Sequence, residues 1–304
     1  MNLRRNILIF HQAALGDFVL TWPLAMALGR VFAQSRVIYV TGPDKGRLAE
    51  DVIGVEHHSA EDGWHALHTE GADPGERPRK LLAGAQCVVL FAQNDEPALL
   101  VNIARLAGDV PLIRIAPNPP PGVHVHAHHL AQLQSHGKLG GYVEQMQTLL
   151  RTTGLGRGAA PSPGILIHPG SGSPKKNWPL ESFERLATRL RSEGHRVTLL
   201  LGEVERDQFD AKRLAALRTG PDAVVEPADL PALAKHLAGA TAYLGNDSGP
   251  THLAAALGLR TIALFGPDSS PDQWHPVGPR VSTLPFTATD DQIVAALYET
   301  SPAV

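Results

Sequence analysis

The chain has 304 residues, which at roughly 150 residues per domain gives room for about two domains. Its 27 Lys and Arg and 30 Asp and Glu residues give a formal charge of −3, which excludes a polycation that coats nucleic acid. A single cysteine, Cys87, excludes a disulfide framework and a cysteine-based zinc site, and no apolar run approaches the ~18 residues of a membrane-spanning helix.

Seven short apolar runs predict buried parallel strands, because they are apolar without the alternation of a half-exposed strand. They are Ile7–Phe10, Val37–Val40, Cys87–Phe91, Ile165–His168, Val197–Leu201, Ala242–Leu244 and Thr261–Phe265. Amphipathic helical segments lie between them. Alternating strands and helices predict an α/β fold with parallel sheets and right-handed crossovers.

The remaining segments are mostly irregular. Residues 55–80 and 118–129 mix Gly, Pro, His and charged residues, and we interpret both as loops. Residues 139–153 have a helical pattern. A short terminal helix is expected over residues 293–298, capped by Thr289 or Asp290.

The best candidate for a domain boundary is the segment Ala160–Gly164, where two prolines stand within three residues. A new strand–loop–helix unit begins directly afterwards. We therefore predict an N-terminal domain over residues 1–159, a C-terminal domain over residues 164–288, and a terminal helical segment over residues 289–304.

The strongest candidate site is Gly245–His252, which follows a predicted strand and opens a helix. Pro250 suits the first helical turn, Gly249 permits close backbone approach, and Asp247 and Ser248 are favoured helix caps. Backbone N–H groups at such a helix start bind anions, above all phosphate. A well-capped helix start without any ligand would have the same residues.

A second loop, His168–Pro179, also follows a predicted strand and precedes a helix. Gly170 and Gly172 allow backbone amides to face a ligand, and Lys175 and Lys176 supply positive charge. This chemistry is typical of a diphosphate cradle, although the spacing is not that of a Walker loop. A solvent-exposed basic loop would explain the same residues, but two such loops at the carboxyl ends of strands favour a shared crevice.

Acidic residues follow the strand predicted at Val197–Leu201. Either Glu203 or Glu205 is placed to accept hydrogen bonds from the ribose hydroxyls of a nucleotide. Acids are also favoured at any helix start, so the alternative is a solvent-facing first turn.

A further carboxylate, Asp17, follows the first predicted strand. Gly16 makes the turn before it, and a helix starts at this point. Functionally, Asp17 could project into a crevice between the two halves and act as a general base. An ordinary N-cap is the alternative.

The histidines at positions 124, 126, 128 and 129 could share one face and bind a metal ion. No carboxylate near them in the sequence would organise such a site. We therefore predict no metal site.

Four sequence blocks together resemble glycosyltransferase family 9, the ADP-heptose:lipopolysaccharide heptosyltransferases. The first block is Leu15–Pro23, and the second runs from Pro169–Ser171 to Lys176–Pro179. The third and longest block is Asn246–Gly258, which leads into Ala263–Pro267. Residues 45–135 show little that matches.

The resemblance implies a GT-B architecture, in which two Rossmann-like domains with parallel sheets face each other across a cleft. The terminal helix would pack back on the N-terminal domain, which binds the acceptor, while the C-terminal domain binds the sugar nucleotide. The implied enzyme is an inverting, metal-independent glycosyltransferase that moves a heptose-like sugar from an ADP-sugar to an acceptor hydroxyl. It needs no cofactor, since the ADP-sugar is a substrate.

By this resemblance Asp17 is the catalytic base. The implied substrate-binding residues are Gly16, Ser171, Lys176, Glu205, Asp247, Ser248, Gly249, Thr251 and His252. One departure is the pair His11-Gln12, which stands where many members have a basic residue, so a phosphate contact with the acceptor there is in question.

The implied partners are a nucleotide-sugar donor and a glycan or glycolipid acceptor, with no nucleic acid. The implied process is the synthesis of lipopolysaccharide or a related surface glycan. The expected location is the cytoplasm, and peripheral contact with the inner membrane is left open. Two alternatives are a catalytically silent nucleotide-sugar-binding protein of the same fold and a transferase with another donor sugar or nucleotide. A Rossmann oxidoreductase is disfavoured, because the first loop lacks Gly-x-Gly-x-x-Gly.

Overall fold

The structure is a computed structural model that describes residues 5–94, 96–156, 164–218 and 220–298. It divides into two compact units, Met1–Thr148 and Leu149–Val304. Each unit contains one parallel sheet flanked by helices.

Within the described residues, the first unit has five short parallel strands, and the three inner ones are mostly buried. The five strands are β1 (Asn6–Phe10), β2 (Arg36–Thr41), β3 (Glu56–Ser59), β4 (Ala85–Phe91) and β5 (Leu112–Ile115). Their order in the sheet is β3-β2-β1-β4-β5. In register across the middle of the sheet, Leu8 pairs with Ile38 on one side and Val88 on the other, and all three belong to the apolar core.

Seven helices accompany this sheet, together with a 3-10 helix at Trp64–His68. They are α1 (Leu15–Leu20), α2 (Trp22–Val31), α3 (Pro43–Ile53), α4 (Glu76–Ala83), α5 (Pro97–Ala107), α6 (Val125–Leu133) and α7 (Leu139–Thr152).

The second unit has six parallel strands. They are β6 (Ile165–His168), β7 (Val197–Leu200), β8 (Ala223–Val225), β9 (Ala242–Asn246), β10 (Arg260–Phe265) and β11 (Val281–Pro285). Their order is β11-β10-β9-β6-β7-β8, so the sheet order reverses between β6 and β9. Ligands of open α/β sheets bind beyond the carboxyl ends of strands at such a switch point.

The helices of the second unit lie between and after these strands. They are α8 (Leu180–Ser192), α9 (Glu203–Gln208), α10 (Ala211–Leu217), α11 (Leu230–Ala238), α12 (Gly249–Ala256), α13 (Pro271–Trp274) and α14 (Asp290–Tyr298). The apolar face of α8, for example Phe183, Leu186 and Leu190, packs into the core of this unit. Within the described ranges, no helix is both long enough and apolar enough to cross a membrane.

All seven predicted strands are present, and the α/β class with parallel sheets is confirmed. Four further strands, β3, β5, β8 and β11, were not predicted. The loop predictions for residues 55–80 and 118–129 were wrong in part, because these ranges contain β3 and α4 and the beginning of α6.

The boundary between the units lies earlier than the expected linker, within helix α7. Residues just after α7 already pack on the end of α12: the Leu155 N–H donates to the Ala256 carbonyl at 2.7 Å, and Gly154 lies against Gly258. This segment therefore belongs to the second unit. Residues 157–163, which contain most of the expected linker, lie outside the described residues.

The terminal helix α14 has the cap that the sequence predicts. The Thr289 N–H donates to Gln292 Oε1 at 2.8 Å, and the Gln292 N–H donates to Thr289 Oγ1 at 3.3 Å. Its buried residues Ile293 and Leu297 belong to the core of the second unit. Residues 299–304 lie outside the described residues, and the expected packing of the terminal segment on the N-terminal domain stays a prediction.

Candidate functional site

The two glycine-bearing loops of the second unit start side by side. Strands β6 and β9 are neighbours in the sheet, and His168 at the end of β6 pairs in register with Gly245 in β9. Each loop leaves the carboxyl end of its strand. The two loops therefore begin next to each other within this unit, and the shared crevice stays a prediction.

Lys176 and Asp247 join the two loops directly. Lys176 Nζ lies 2.7 Å from Asp247 Oδ2, and His252 Nε2 lies 3.9 Å from Oδ1 of the same carboxylate. Burial raises the pKa of Asp247, but His252 and Lys176 outweigh it and hold that pKa below its ordinary value. The Lys176 side chain is 37% exposed, so its ammonium group has N–H donors left for a ligand.

Asn246, the last residue of β9, fastens the first loop to the strand. Its Oδ1 accepts a hydrogen bond from the Trp178 N–H at 2.9 Å, and its Nδ2 donates to the Pro169 carbonyl at 2.8 Å. The residue is fully buried. Asn246 belongs to the third sequence block, but its role as a loop anchor depends on burial, which the sequence alone does not give.

Ser171 shapes the interior of the first loop. Its hydroxyl lies 2.7 Å from both Asn177 Oδ1 and the Ser173 carbonyl, and the residue is 2% exposed. A Cβ built on Gly170 would lie 1.5 Å from Glu205 Oε1, whereas one built on Gly172 meets nothing within 4 Å. Gly170 is therefore required by packing, and Gly172 faces open space.

The second loop ends in the first turn of α12. Ser248 is the N-cap of this helix, and Gly249 is its first residue. Ser248 Oγ and Thr251 Oγ1 are hydrogen-bonded at 3.0 Å, and the Thr251 hydroxyl donates to the Asn246 carbonyl. These hydroxyls hold the helix start in shape, which leaves backbone N–H groups of the turn as the anion-binding feature.

The two acids after β7 have different environments. Glu203 is exposed, whereas Glu205 is only 1% exposed. Glu205 accepts a hydrogen bond from the Gly202 N–H, and its Oε1 lies 3.1 Å from His168 Nε2. Burial raises the pKa of Glu205, but His168 and the backbone donors bring it below its ordinary value. In this conformation Glu205 therefore supports the loops, and ribose binding by it stays a prediction.

Asp17 lies in the first turn of α1 in the first unit. The N-cap of this helix is Ala14, so the alternative in which Asp17 is an ordinary cap is wrong. Asp17 is half-buried and attracts the Lys45 ammonium group, which also donates to the Ala13 carbonyl at 2.5 Å. Burial lowers the pKa of Lys45, and the Asp17 carboxylate partly opposes that shift.

His11 occupies the place where a basic residue was expected. Burial, with help from Lys45 and His129, lowers the pKa of His11 to about 3, so this imidazole is uncharged at neutral pH. Lys45 brings positive charge to the same loop from helix α3. Sequence reasoning missed Lys45, because it comes from an element that follows a different strand.

The histidines of the cluster at positions 124–129 lie at the start of α6 and in its first turns. His124 caps this helix by accepting a hydrogen bond from the His126 N–H, and His128 Nε2 lies 2.9 Å from the Ala116 carbonyl. In the part of the chain that the structure describes, no group of three or more His, Cys, Asp or Glu residues is arranged to hold a metal ion.

Comparison with known proteins gives the family. The model of glycosyltransferase family 9 (heptosyltransferase) matches residues 125–292, more than half of the chain. The chain belongs to glycosyltransferase family 9. Lipopolysaccharide heptosyltransferase 1 of Pseudomonas aeruginosa is 38% identical over 92 residues, which is 30% of this chain and 25% of that protein.

Solved structures extend the likeness over the fold of this family 9 protein. The ADP-heptose lipopolysaccharide heptosyltransferase II of E. coli has a TM-score of 0.67 at 18% identity and covers 96% of this chain and 97% of its own. The E. coli heptosyltransferase WaaC with ADP has a TM-score of 0.63 at 17% identity, with 95% of each chain covered.

These comparisons confirm the predicted family and the fold class, two Rossmann-like parallel-sheet domains of GT-B architecture. They also place the protein among the glycosyltransferases. The aligned segment spans only about a quarter of the length of the P. aeruginosa relative (25%), and identities of 17–18% establish the fold alone. The donor, the acceptor and the roles of individual residues of this family 9 protein are therefore matters for proposal.

Proposed function

We propose that this family 9 protein is an inverting, metal-independent transferase that moves a heptose-like sugar from an ADP-sugar to an acceptor hydroxyl. The acceptor is a glycan or glycolipid of lipopolysaccharide or a related surface glycan. The observation that carries the proposal is the contact between Lys176 and Asp247, which joins two glycine-bearing loops at the switch point of the second sheet.

In the proposed reaction the acceptor oxygen attacks the anomeric carbon of the donor. The bond between that carbon and the diphosphate oxygen breaks, ADP leaves with the electron pair, and the Asp17 carboxylate takes the acceptor proton. Attack from the face opposite the leaving group inverts the anomeric centre. General-base help of this kind contributes about 10²–10⁴ in rate.

The leaving diphosphate needs the larger stabilisation, because one further negative charge develops on this already anionic group as the bond breaks. Lys176 and the backbone N–H groups at the start of α12 supply fixed donors, and a single preorganised donor of this type is worth about 2.7–4 kcal/mol. Asp247 keeps the Lys176 ammonium group at the loop through their 2.7 Å contact. His252, Ser171 and Gly16 complete the proposed binding residues by shaping the loops and the turn before the base.

Adenine as the base rests on the likeness to heptosyltransferases, one of them solved with ADP. Either Glu203 or Glu205 takes the ribose hydroxyls in this proposal; Glu203 is already exposed, and Glu205 would have to turn away from His168. We extend the proposal to a cytoplasmic location with peripheral contact at the inner membrane, where a lipid-linked acceptor would lie.

The test is to measure ADP release from ADP-heptose with and without lipopolysaccharide-type acceptors, for the wild type and for Asp17→Asn. We expect acceptor-dependent release that falls about 10²–10⁴-fold in the variant, while ADP affinity stays nearly unchanged. Full activity of Asp17→Asn would show that Asp17 is not the general base.

The same assay addresses the two alternatives. A catalytically silent nucleotide-sugar-binding protein would bind ADP but never release it from a donor, with any acceptor. A transferase for another donor would bind UDP or GDP more tightly than ADP in a direct titration of the three nucleotides.

A further inference from the structure

A chain of buried polar groups runs beneath the two loops of the second unit. Glu205 Oε1 lies 3.1 Å from His168 Nε2, and His168 Nδ1 lies 3.2 Å from the Tyr243 hydroxyl. The same hydroxyl lies 3.2 Å from Thr251 Oγ1, which is 3.0 Å from Ser248 Oγ. All five residues are less than 9% exposed, so the chain is closed to solvent.

The backbone is built to accommodate this chain. A Cβ on Gly245 would lie 2.6 Å from the Tyr243 hydroxyl, so the glycine leaves the space that the hydroxyl fills. A Cβ on Gly170 would overlap Glu205 in the same way. Gly170 thus makes room for the Glu205 end of the chain, and Gly245 makes room for the Tyr243 hydroxyl in its middle.

Hydrogen-bond chemistry gives the chain a direction. His168 Nε2 faces the Glu205 carboxylate at 3.1 Å, and its other ring nitrogen, Nδ1, lies within hydrogen-bond distance of the Tyr243 hydroxyl. The Thr251 hydroxyl donates its one proton to the Asn246 carbonyl, so its oxygen accepts from the hydroxyls of Tyr243 and Ser248. Each member therefore fixes the orientation of its neighbour, from the start of α9 to the start of α12.

We propose that Tyr243 and His168 are positioning residues for the donor site, which hold the acid-bearing turn after β7 and the first turn of α12 at a fixed separation. This inference rests on the proposed function, because it requires that a nucleotide diphosphate spans these two turns. Neither residue touches the ligand. They keep the two binding turns in the conformation that binds ADP. This reduces the conformational entropy that the protein loses when ADP binds.

The experiment is calorimetric titration of ADP into the full chain, with Tyr243→Phe compared with Tyr39→Phe. Tyr39 is a matched control, because its hydroxyl lies 2.7 Å from Thr21 Oγ1, and both residues are buried in the first unit. Each variant loses one buried hydroxyl group that has hydrogen-bond partners. We expect ADP affinity to fall about threefold to tenfold in Tyr243→Phe only.

A second variant, His168→Gln, keeps an amide donor toward Glu205 but loses the ring nitrogen that faces the Tyr243 hydroxyl. Because both substitutions break one chain, the double variant should bind ADP about as weakly as the weaker single variant, rather than with the product of the two losses. If Tyr243→Phe does not fold, His168→Gln against Tyr39→Phe makes the same comparison.

Unchanged ADP affinity in Tyr243→Phe, equal losses in Tyr39→Phe, or fully multiplicative losses in the double variant would each overturn the inference while leaving the proposed function intact. Absence of ADP binding by the wild type would instead overturn the proposed function, and the inference with it.

Discussion

At the scale of single residues, Lys175 and Lys176 allow a direct comparison. Lys175 is exposed, whereas Lys176 lies 2.7 Å from the buried Asp247 carboxylate. We expect Lys176→Met to weaken ADP binding about 10- to 100-fold, since a hydrogen bond to a charged group is worth roughly 1.5–3 kcal/mol. Lys175→Met should change affinity little. Titration calorimetry of both variants checks this, and equal losses would mean that the loop acts only through its overall charge.

Asp247 predicts a dependence of stability on pH. Its pKa in the folded protein lies below the ordinary value of 3.8, because His252 and Lys176 outweigh the effect of burial. The ionised carboxylate therefore contributes stability that is fully present above pH 3.8 and is lost as the pH falls through the lower, folded-state pKa.

Urea unfolding of the wild type and Asp247→Asn as a function of pH measures this contribution. The wild type should exceed the variant in unfolding free energy at neutral pH, and the difference should shrink at pH values below 3.8. A difference that stays constant, or grows, as the pH is lowered would contradict the assigned ion pair.

Residue types at the site could be predicted from the sequence, but their exposure could not. A lysine after β6 and an acid after β9 were expected near each other, and they are in contact. For Glu203 and Glu205 the sequence left both open, because either can follow a strand. Burial of Glu205 depends on Gly170 and His168 from a strand about forty residues earlier, and local spacing contains no information about that contact.

At the scale of elements, the loop after β6 contains two glycines that differ in the space available for a side chain. Ala at position 170 would place a Cβ 1.5 Å from Glu205 Oε1, whereas Ala at position 172 meets nothing within 4 Å. We expect Gly170→Ala to lower the unfolding free energy by about 1–3 kcal/mol, the usual cost of overpacking, and Gly172→Ala to change it by less than ~0.5 kcal/mol. Denaturant unfolding of both variants makes the comparison. Similar stabilities would mean that Glu205 moves aside easily.

The edge strands of both sheets were not predicted from the sequence, and their residues explain why. The seven predicted strands lie inside the sheets, where both faces are covered and the sequence is continuously apolar. The four that were missed, β3, β5, β8 and β11, are the four edges. The sequence of β3 is Glu-His-His-Ser, which has no apolar residue, and β8 has only three residues. Pairing with a neighbouring strand, rather than local pattern, makes these segments strands.

At the scale of the whole molecule, the chain divides into two compact units, and the sequence predicts domains over residues 1–159 and 164–288. The two prolines near residue 162 suggested the boundary, since proline interrupts strands and helices. The division instead falls between Thr148 and Leu149, because Leu155 already hydrogen-bonds to the end of α12. Long-range contacts of this kind cannot be inferred from the positions of prolines in the sequence.

This division predicts which half responds to the donor. The proposed ADP ligands Lys176 and Asp247 lie in the second unit, whereas the proposed base Asp17 lies in the first. ADP at about 100 times its Kd should add about 2.7 kcal/mol to the stability of the unit that binds it, a rise in Tm of about 5–11 °C. UDP at the same concentration should give a smaller rise.

Differential scanning calorimetry with and without ADP, on the wild type, Asp17→Asn and Lys176→Met, tests that assignment. We expect Asp17→Asn to keep the full rise in Tm and Lys176→Met to lose most of it, because only the second substitution removes a donor to the diphosphate. A rise lost equally in both variants would mean that ADP binding depends on the first unit as much as on the second. The loops of β6 and β9 would then not be sufficient to hold the nucleotide.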